Sequence, residues 1–170
     1  KVISERTGES VDIKYVLDLR DFPGSPVEKL LVKDYKIIVD AGNGVGAFYA
    51  EKVLAVLGAD ISGSCYLEPD GIFPNHIPNP ENKQAMQSIC DAVKKANADL
   101  GVIFDTDVDR ASCVDEKGEE INRNAIVALA AVIALEGNEG GSIVTDSVTS
   151  DGLREFIEEK LGGKHIRFKR

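Results

Sequence analysis

The chain has 170 residues, with 20 lysines and arginines against 29 aspartates and glutamates, which gives a net charge of −9 at pH 7. This length suits one domain, or one domain and part of a second. A hydrophobic content of 43% excludes a disordered chain, and the acidic balance argues against a nucleic-acid partner, which would need a basic face.

Neither a membrane span nor a disulfide framework is expected. The longest apolar run, residues 125–135, is much shorter than the roughly 20 residues that cross a bilayer. The three cysteines show no CxxC spacing, and a low, odd count fits reduced thiols. We therefore predict a cytoplasmic protein with neither a membrane nor a nucleic-acid partner.

Strand and helix patterns alternate along the chain after a first segment, residues 1–34, that we interpret as a linker or approach to the domain. The apolar runs and helical spacings predict a strand at 36–40, a helix at 48–57, a strand within 60–67, a helix opened by Asn79-Pro80-Glu81, and strands at 100–104 and 111–114. This βαβαβ order predicts an α/β domain over residues 35–118, with a mainly parallel sheet and helices on both faces.

A second α/β unit is predicted over residues 119–170. Its expected elements are a helix at 122–136, a strand at 142–146, a helix at 150–161 and a strand at 164–168. Because two strands cannot cover their own sheet, we expect this unit to be truncated and the chain to be a fragment of a longer protein. Leu129, Val132 and Ile133, on the apolar helix, should then be left partly exposed.

Three aspartates alternate directly after a predicted strand, at Asp105, Asp107 and Asp109. Ligands of parallel α/β sheets bind at the carboxyl ends of strands, and three carboxylates so close together repel one another unless a cation lies among them. Their hard oxygens suit Mg²⁺, which also keeps room for a phosphate oxygen. Arg110 follows as a donor suited to a phosphate or sugar oxygen. These residues predict a Mg²⁺ site with a substrate-binding arginine, and a solvated acidic turn is the alternative.

Other families contain similar acidic strings. An EF-hand loop would place its last ligand at Glu116, but its turn glycine would fall at Arg110, and strands flank this loop. A haloacid-dehalogenase-like phosphatase would use Asp105 as its nucleophile and Asp107 as its second carboxylate, although Asp109 departs from that pattern. The phosphatase therefore stays open as an alternative.

A glycine turn, residues 42–47, follows the first predicted strand and nominally matches a dinucleotide-binding pattern, GxGxxA. The acidic residue that such a site needs would be Asp60, which lies before the second strand rather than at its end. We interpret the segment as a tight strand-to-helix turn with Asp40 as a capping acceptor, and a non-catalytic metal- or nucleotide-binding module is the alternative. His76, in a proline-rich loop, is interpreted as a packed loop histidine, and His165 receives no role.

Three segments together resemble the α-D-phosphohexomutase family, which includes phosphoglucomutases and phosphomannomutases. Residues 37–46 are similar to the opening strand and turn of that family's second domain, and residues 70–80 to its Asp-Gly-x-Phe-Pro-Asn-His-x-Pro-x-Pro loop. Residues 105–110 resemble its metal loop, usually Asp-Gly-Asp-Gly-Asp-Arg. The resemblance implies that residues 35–118 form the second domain and residues 119–170 the beginning of the third.

The resemblance implies a Mg²⁺-dependent enzyme that moves a phosphoryl group between the 1- and 6-positions of a hexose, with glucose or mannose phosphate as substrate. A phosphoserine of the family's first domain donates and reclaims the group, and Mg²⁺ bridges it to three aspartates, here Asp105, Asp107 and Asp109, while Arg110 would contact phosphate or sugar. The phosphoserine motif and the sugar-selecting loops have no counterpart in this chain. The resemblance therefore implies no catalytic nucleophile here and no activity without the remaining domains.

Overall fold

A computed structural model of the chain describes residues 2–3, 10–11 and 32–169, so most of the predicted linker lies outside the described residues. The strands are β1 Val2–Ile3, β2 Ser10–Val11, β3 Ile37–Asp40, β4 Leu100–Phe104, β5 Ala111–Val114, β6 Ser142–Thr145 and β7 Lys164–Arg167. The helices are α1 Lys83–Ala96, α2 Arg123–Leu135 and α3 Asp151–Glu155, with π-helical segments at Tyr49–Leu54 and Phe156–Lys160. The chain divides into two compact units, Lys1–Glu120 and Ile121–Arg170. Among the helices of the described ranges, none combines the length and the apolarity that crossing a bilayer requires.

The first unit is built on a three-stranded sheet in the order β3–β4–β5. β3 and β4 run parallel, with Ile37 opposite Leu100, and β5 returns antiparallel to β4, with Phe104 opposite Ala111. The parallel pairing puts the carboxyl ends of β3 and β4 at the same edge of the sheet. The glycine turn after β3 and the loop after β4 that carries the three aspartates, residues 105–110, therefore leave the sheet side by side. We call residues 105–110 the acidic loop.

The strand expected within residues 60–67 is broken. It forms only two isolated parallel bridges beside β3, at Asp60 and at Cys65. Between the bridges, the Asp60 carboxylate accepts the Ser62 N–H at 2.8 Å, a local turn that competes with a continuous ladder for backbone donors. The segment runs parallel to β3, as the predicted sheet requires. It does not form the continuous strand that the sequence predicts.

Helical structure covers both faces of the β3–β4 pair, as the sequence predicts. The fully buried side chains of the layer that α1 covers include Ile38, Ile89, Val93 and Ile103. The buried side chains of the cluster beneath the π-helical segment Tyr49–Leu54 include Val39, Ala50 and Phe104. Neighbours Ile38 and Val39 serve opposite faces because side chains alternate along a strand.

Helix α1 begins later than the sequence predicts. Asn82 is its cap, because its side-chain oxygen accepts the N–H groups of Gln84 and Ala85 at 2.9 and 3.1 Å. The Asn79 oxygen instead accepts the Glu81 N–H at 2.9 Å and closes a turn ahead of the helix. An asparagine at either position could cap a helix. The predicted start at Asn79 is wrong, because the Asn79 side chain bonds within the turn that precedes the helix.

The second unit pairs β6 and β7 in parallel, with Ser142 opposite Lys164. Its core consists of Ala131, Leu135, Leu153 and Ile157. The predicted helix at 150–161 appears as α3 and the π-helical segment that continues it. On α2, the side chains of Leu129, Val132 and Ile133 stay 61%, 40% and 64% exposed, which confirms the expectation that this apolar helix is incompletely covered.

Candidate metal centre

The acidic loop leaves β4 at its carboxyl end and brings the three predicted carboxylates together. One oxygen from each of Asp105, Asp107 and Asp109 lies within 4.8 Å of the others. Asp105 is buried, while Asp107 and Asp109 are exposed. The group therefore has one carboxylate fixed in the protein and two that face solvent, where a hydrated cation can reach them.

Arg110 closes this loop on Asp105. Its N–H donates to the Asp105 carboxylate at 3.1 Å, and its carbonyl accepts the Asp105 N–H at 3.1 Å. Its Nε donates to Asp105 at 2.9 Å and lies 3.4 Å from Asp109. The predicted substrate-binding arginine therefore lies at the acidic cluster. Its backbone N–H and its Nε already donate to Asp105 and hold the loop in shape.

The carboxylates influence one another's ionisation. Burial by itself would raise the pKa of Asp105, but hydrogen bonds from Asp109 and Arg110 and the Arg110 charge outweigh it and hold that pKa below its ordinary value. The pKa of Asp109 is raised, because it shares a hydrogen bond with Asp105 and faces the negative charges of Asp105 and Asp107. Such like-charge repulsion is relieved when a cation binds among the groups.

The middle of the loop carries backbone strain. Val108 has a φ of +68°, a left-handed conformation that costs a residue with a Cβ about 1–2 kcal/mol. Its side chain is half-buried and packs against the cluster that contains Val39 and Phe104. Val108 therefore has apolar contacts inside the fold, while its backbone holds a conformation that glycine adopts without steric cost.

The glycine turn after β3 lies directly beneath the acidic loop. The Val45 N–H donates to the Thr106 carbonyl at 3.0 Å. A Cβ added at Gly44 would lie 2.7 Å from that same oxygen and 3.0 Å from the Thr106 Cα. The turn therefore needs glycine for close approach to the acidic loop, which supports the structural interpretation of the GxGxxA pattern.

A buried hydrogen-bonded group at the end of β3 holds the proline-rich loop, residues 70–80. His76 is buried, and its Nε2 lies 3.0 Å from both oxygens of the fully buried Asp40. Ser88 of α1 also donates to Asp40, at 2.9 Å. The interpretation of His76 as a packed loop histidine agrees with this geometry, and so does an acceptor role for Asp40, whose Oδ1 takes the Gly42 N–H at 2.9 Å. The sequence gives no local sign that Asp40 and His76 meet, since they are far apart along the chain.

Asn79 is a neighbour of the site that the sequence interpretation missed. Its side-chain oxygen lies 3.4 Å from Arg110 Nη1, so the proline-rich loop touches the arginine of the acidic loop. The only signal that could have found it is the adjacency of the two loops at one sheet edge.

The donor set fits a hard divalent cation. Mg²⁺ is held in proteins by one or two carboxylates together with waters and phosphate oxygens, and this cluster offers carboxylate oxygens only. Within the described residues it is also the sole group of three or more His, Cys, Asp or Glu side chains arranged in this way. The fold and the loop together define an α/β domain with a cluster of three carboxylates at one edge of its sheet.

Comparisons with known proteins place this domain in a family. The family model described as phosphoglucomutase/phosphomannomutase, alpha/beta/alpha domain II, matches residues 14–118. The chain therefore belongs to the phosphoglucomutase/phosphomannomutase family, and the resemblance to the α-D-phosphohexomutases is confirmed. This membership favours the phosphohexomutase hypothesis over the haloacid-dehalogenase-like phosphatase and over the nucleotide-binding module.

Individual relatives agree with this assignment. A phosphoglucomutase/phosphomannomutase of Thermococcus kodakarensis is 37% identical over 133 residues, which cover 78% of this chain and 28% of the relative. A phosphomannomutase/phosphoglucomutase of Pseudomonas aeruginosa is 33% identical over 163 residues, 95% of this chain and 34% of the relative. A crystal structure of a phosphoglucomutase/phosphomannomutase family protein from Burkholderia thailandensis superposes with a TM-score of 0.74 at 30% identity, over 85% of this chain and 32% of that one. The chain thus spans about a third of the length of these relatives.

Proposed function

We propose that this chain supplies the metal-binding domain of a Mg²⁺-dependent phosphohexomutase, an intramolecular phosphotransferase that moves a phosphoryl group between the 1- and 6-positions of a hexose phosphate. The observation that carries the proposal is the convergence of Asp105, Asp107 and Asp109 at a strand end, in a chain that belongs to the phosphoglucomutase/phosphomannomutase family. The relatives named above are phosphoglucomutases and phosphomannomutases, which supports glucose or mannose phosphate as the substrate class.

The residues have distinct roles in this proposal. Asp105, Asp107 and Asp109 would hold Mg²⁺, which supplies positive charge to neutralise phosphoryl oxygens. Arg110 orients the loop through Asp105, and its side chain stays 49% exposed, so that it can donate to a phosphate or sugar oxygen. Stabilisation of charge by fixed donors is the main requirement of phosphoryl transfer.

The catalytic nucleophile lies elsewhere in this proposal. We assign residues 35–118 to domain II and residues 119–170 to the beginning of domain III, and the phosphoserine to another domain of the parent protein. The chain alone is then inactive as a mutase, and its partners are those domains and the sugar phosphate. A cytoplasmic location is also proposed, since Cys65, Cys90 and Cys113 are free thiols, as a reducing compartment favours.

Calorimetric titration of the chain with Mg²⁺ tests the metal assignment. Asp107→Asn removes one ligand charge at almost unchanged volume and should weaken Mg²⁺ binding by about tenfold or more. Glu116→Gln is the matched control, because Glu116 is exposed and stands outside the carboxylate cluster, so its affinity should equal that of the wild type. Binding that Asp107→Asn leaves unchanged would contradict the assignment.

A second assay separates the mutase domain from the phosphatase alternative. The chain should not hydrolyse an aryl phosphate in the presence of Mg²⁺, because in this proposal none of its residues acts as a nucleophile that accepts the phosphoryl group. Turnover that Asp105→Asn abolishes would instead favour the phosphatase alternative, in which Asp105 is the nucleophile.

A further inference from the structure

The carboxylate of Asp40 is a buried anchor with donors from three parts of the first unit. The Gly42 N–H comes from the glycine turn, the Ser88 hydroxyl from α1, and the His76 ring from the proline-rich loop. Burial of a carboxylate is costly unless hydrogen bonds compensate it, and here Asp40 is 0% exposed. These three donors therefore fix the glycine turn, α1 and the proline-rich loop to one point at the end of β3, where the Cys65 thiol also hydrogen-bonds to Asp40.

Among the described residues of the proline-rich loop, His76 is the one that bonds to Asp40, while its neighbour Asn75 donates to the Asn43 side chain of the glycine turn at 2.7 Å. Its side chain is 1% exposed, its Nδ1 lies 3.0 Å from the Ile77 carbonyl, and its ring meets the Tyr66 ring edge-on at 5.2 Å. With both nitrogens in hydrogen-bond distance of acceptors and the ring against Tyr66, the imidazole has little freedom to rotate. The segment that follows His76 is consequently set in place by the anchor.

That segment touches the metal centre along two routes. Asn79 reaches Arg110, with 3.4 Å between its side-chain oxygen and Nη1. Pro78 packs on the glycine turn so closely that a Cβ at Gly42 would lie 2.8 Å from the Pro78 Cβ. The same turn carries Val45, which donates to the acidic loop at Thr106.

We propose that His76 is a positioning residue of the metal centre, which acts by binding Asp40 and so holding the proline-rich loop against the glycine turn and Arg110. The inference rests on the proposed function, because it assigns these residues to the support of that same Mg²⁺ site. His76 touches neither the carboxylate cluster nor substrate in this role. It pre-organises the acidic loop, so that the three carboxylates do not have to be ordered when the cation binds.

Amide hydrogen exchange of the metal-free chain, read by NMR, tests the positioning without any ligand. The reporters are the N–H groups of Val45, Asp105 and Arg110, which all bond within or onto the acidic loop. His76→Leu should raise their exchange rates by about three- to thirtyfold, the range expected for coupling through packed networks. His76→Gln, which keeps a side-chain donor, should lie between the leucine variant and the wild type.

Ser88→Ala is the matched control, because it also removes one donor from Asp40 but leaves the proline-rich loop attached. It should lower the urea midpoint of unfolding while the three reporter amides exchange as in the wild type. Equal acceleration in Ser88→Ala and His76→Leu would show general destabilisation and overturn the inference. If His76→Leu does not fold, His76→Gln carries the same comparison.

Mg²⁺ titration of the same variants links the loop to the metal. His76→Leu should lose about three- to thirtyfold in affinity, and Ser88→Ala should stay within twofold of the wild type. If Asp107→Asn weakens binding but His76→Leu does not, the positioning role is wrong and the proposed function stands. If the wild type does not bind Mg²⁺, the proposed function fails and the inference fails with it.

Discussion

Replacing Gly44 by alanine should separate the glycine turn from the acidic loop. The added Cβ would lie 2.7 Å from the Thr106 carbonyl oxygen, 3.0 Å from the Thr106 Cα and 3.2 Å from the Ala41 carbonyl oxygen. All three neighbours are backbone atoms, so no side chain can rotate away, and the turn itself must shift. The shift would stretch the bond from the Val45 N–H to Thr106, now 3.0 Å. Overpacking of this kind costs about 1–3 kcal/mol.

The effect can be measured as the free energy of unfolding in urea and as the melting temperature. For a chain of this size, about 1 kcal/mol lowers the melting temperature by roughly 2–4 °C, so Gly44→Ala should lower it by about 2–12 °C. Mg²⁺ affinity should fall as well, because the acidic loop loses its support. Gly71→Ala is the control, since a Cβ there meets nothing within 4 Å, and alanine should be neutral or slightly stabilising. Equal stability of the two variants would refute the close-approach argument.

Three further predictions follow from the described residues. Burial, together with the nearby charge and hydrogen bond of Asp40, raises the pKa of the Cys65 thiol to about 12, so iodoacetamide at pH 8 should leave Cys65 unmodified in the folded chain and label it in urea, as peptide mass spectrometry can show. Arg110→Met should destabilise the chain most above pH 5. The lowered pKa of Asp105 means that its ionised form stabilises the fold above its unfolded pKa of about 4 and that this contribution is lost as the pH falls through the lower folded value. A stability difference that stays constant in urea titrations from pH 6 to pH 2 would contradict this. Ile133, which is 64% exposed on α2, should promote concentration-dependent association, and Ile133→Lys should reduce it in sedimentation velocity.

Patterns carried by neighbouring residues were predictable. The apolar run before Asp105 predicted β4, and the alternation of three aspartates predicted a carboxylate cluster, because residues that follow one strand cannot separate far. The helix at 122–136 was placed almost correctly as α2, since Asn122 is a good cap and the apolar residues after it repeat at helical spacing.

Features that depend on which of several groups takes a given hydrogen bond were not predictable in this way. The start of α1 was placed at Asn79, yet Asn82 caps the helix, because Asn79 serves the turn ahead of it and contacts Arg110. The strand within residues 60–67 was expected to be regular, but a local turn at Asp60 interrupts it. For α1, contacts from elsewhere in the chain select one of two acceptable starts. For the strand, a side-chain bond inside the segment competes with the ladder for a backbone donor.

By itself, the sequence determined the α/β class, the acidic loop and the family resemblance, all of which reside in contiguous segments whose chemistry is local. Only the tertiary structure decided that Asp40 and His76 meet in the core and that Gly44 lies beneath Thr106. The parallel bridge between Asp40 and Cys65 brings the loop that carries His76 to the end of β3. For the Gly44 contact, parallel pairing of β3 with β4 is the physical reason. It brings the ends of two strands, separated by a helix and a long loop, to one edge of the sheet, where hydrogen bonds between their loops can form.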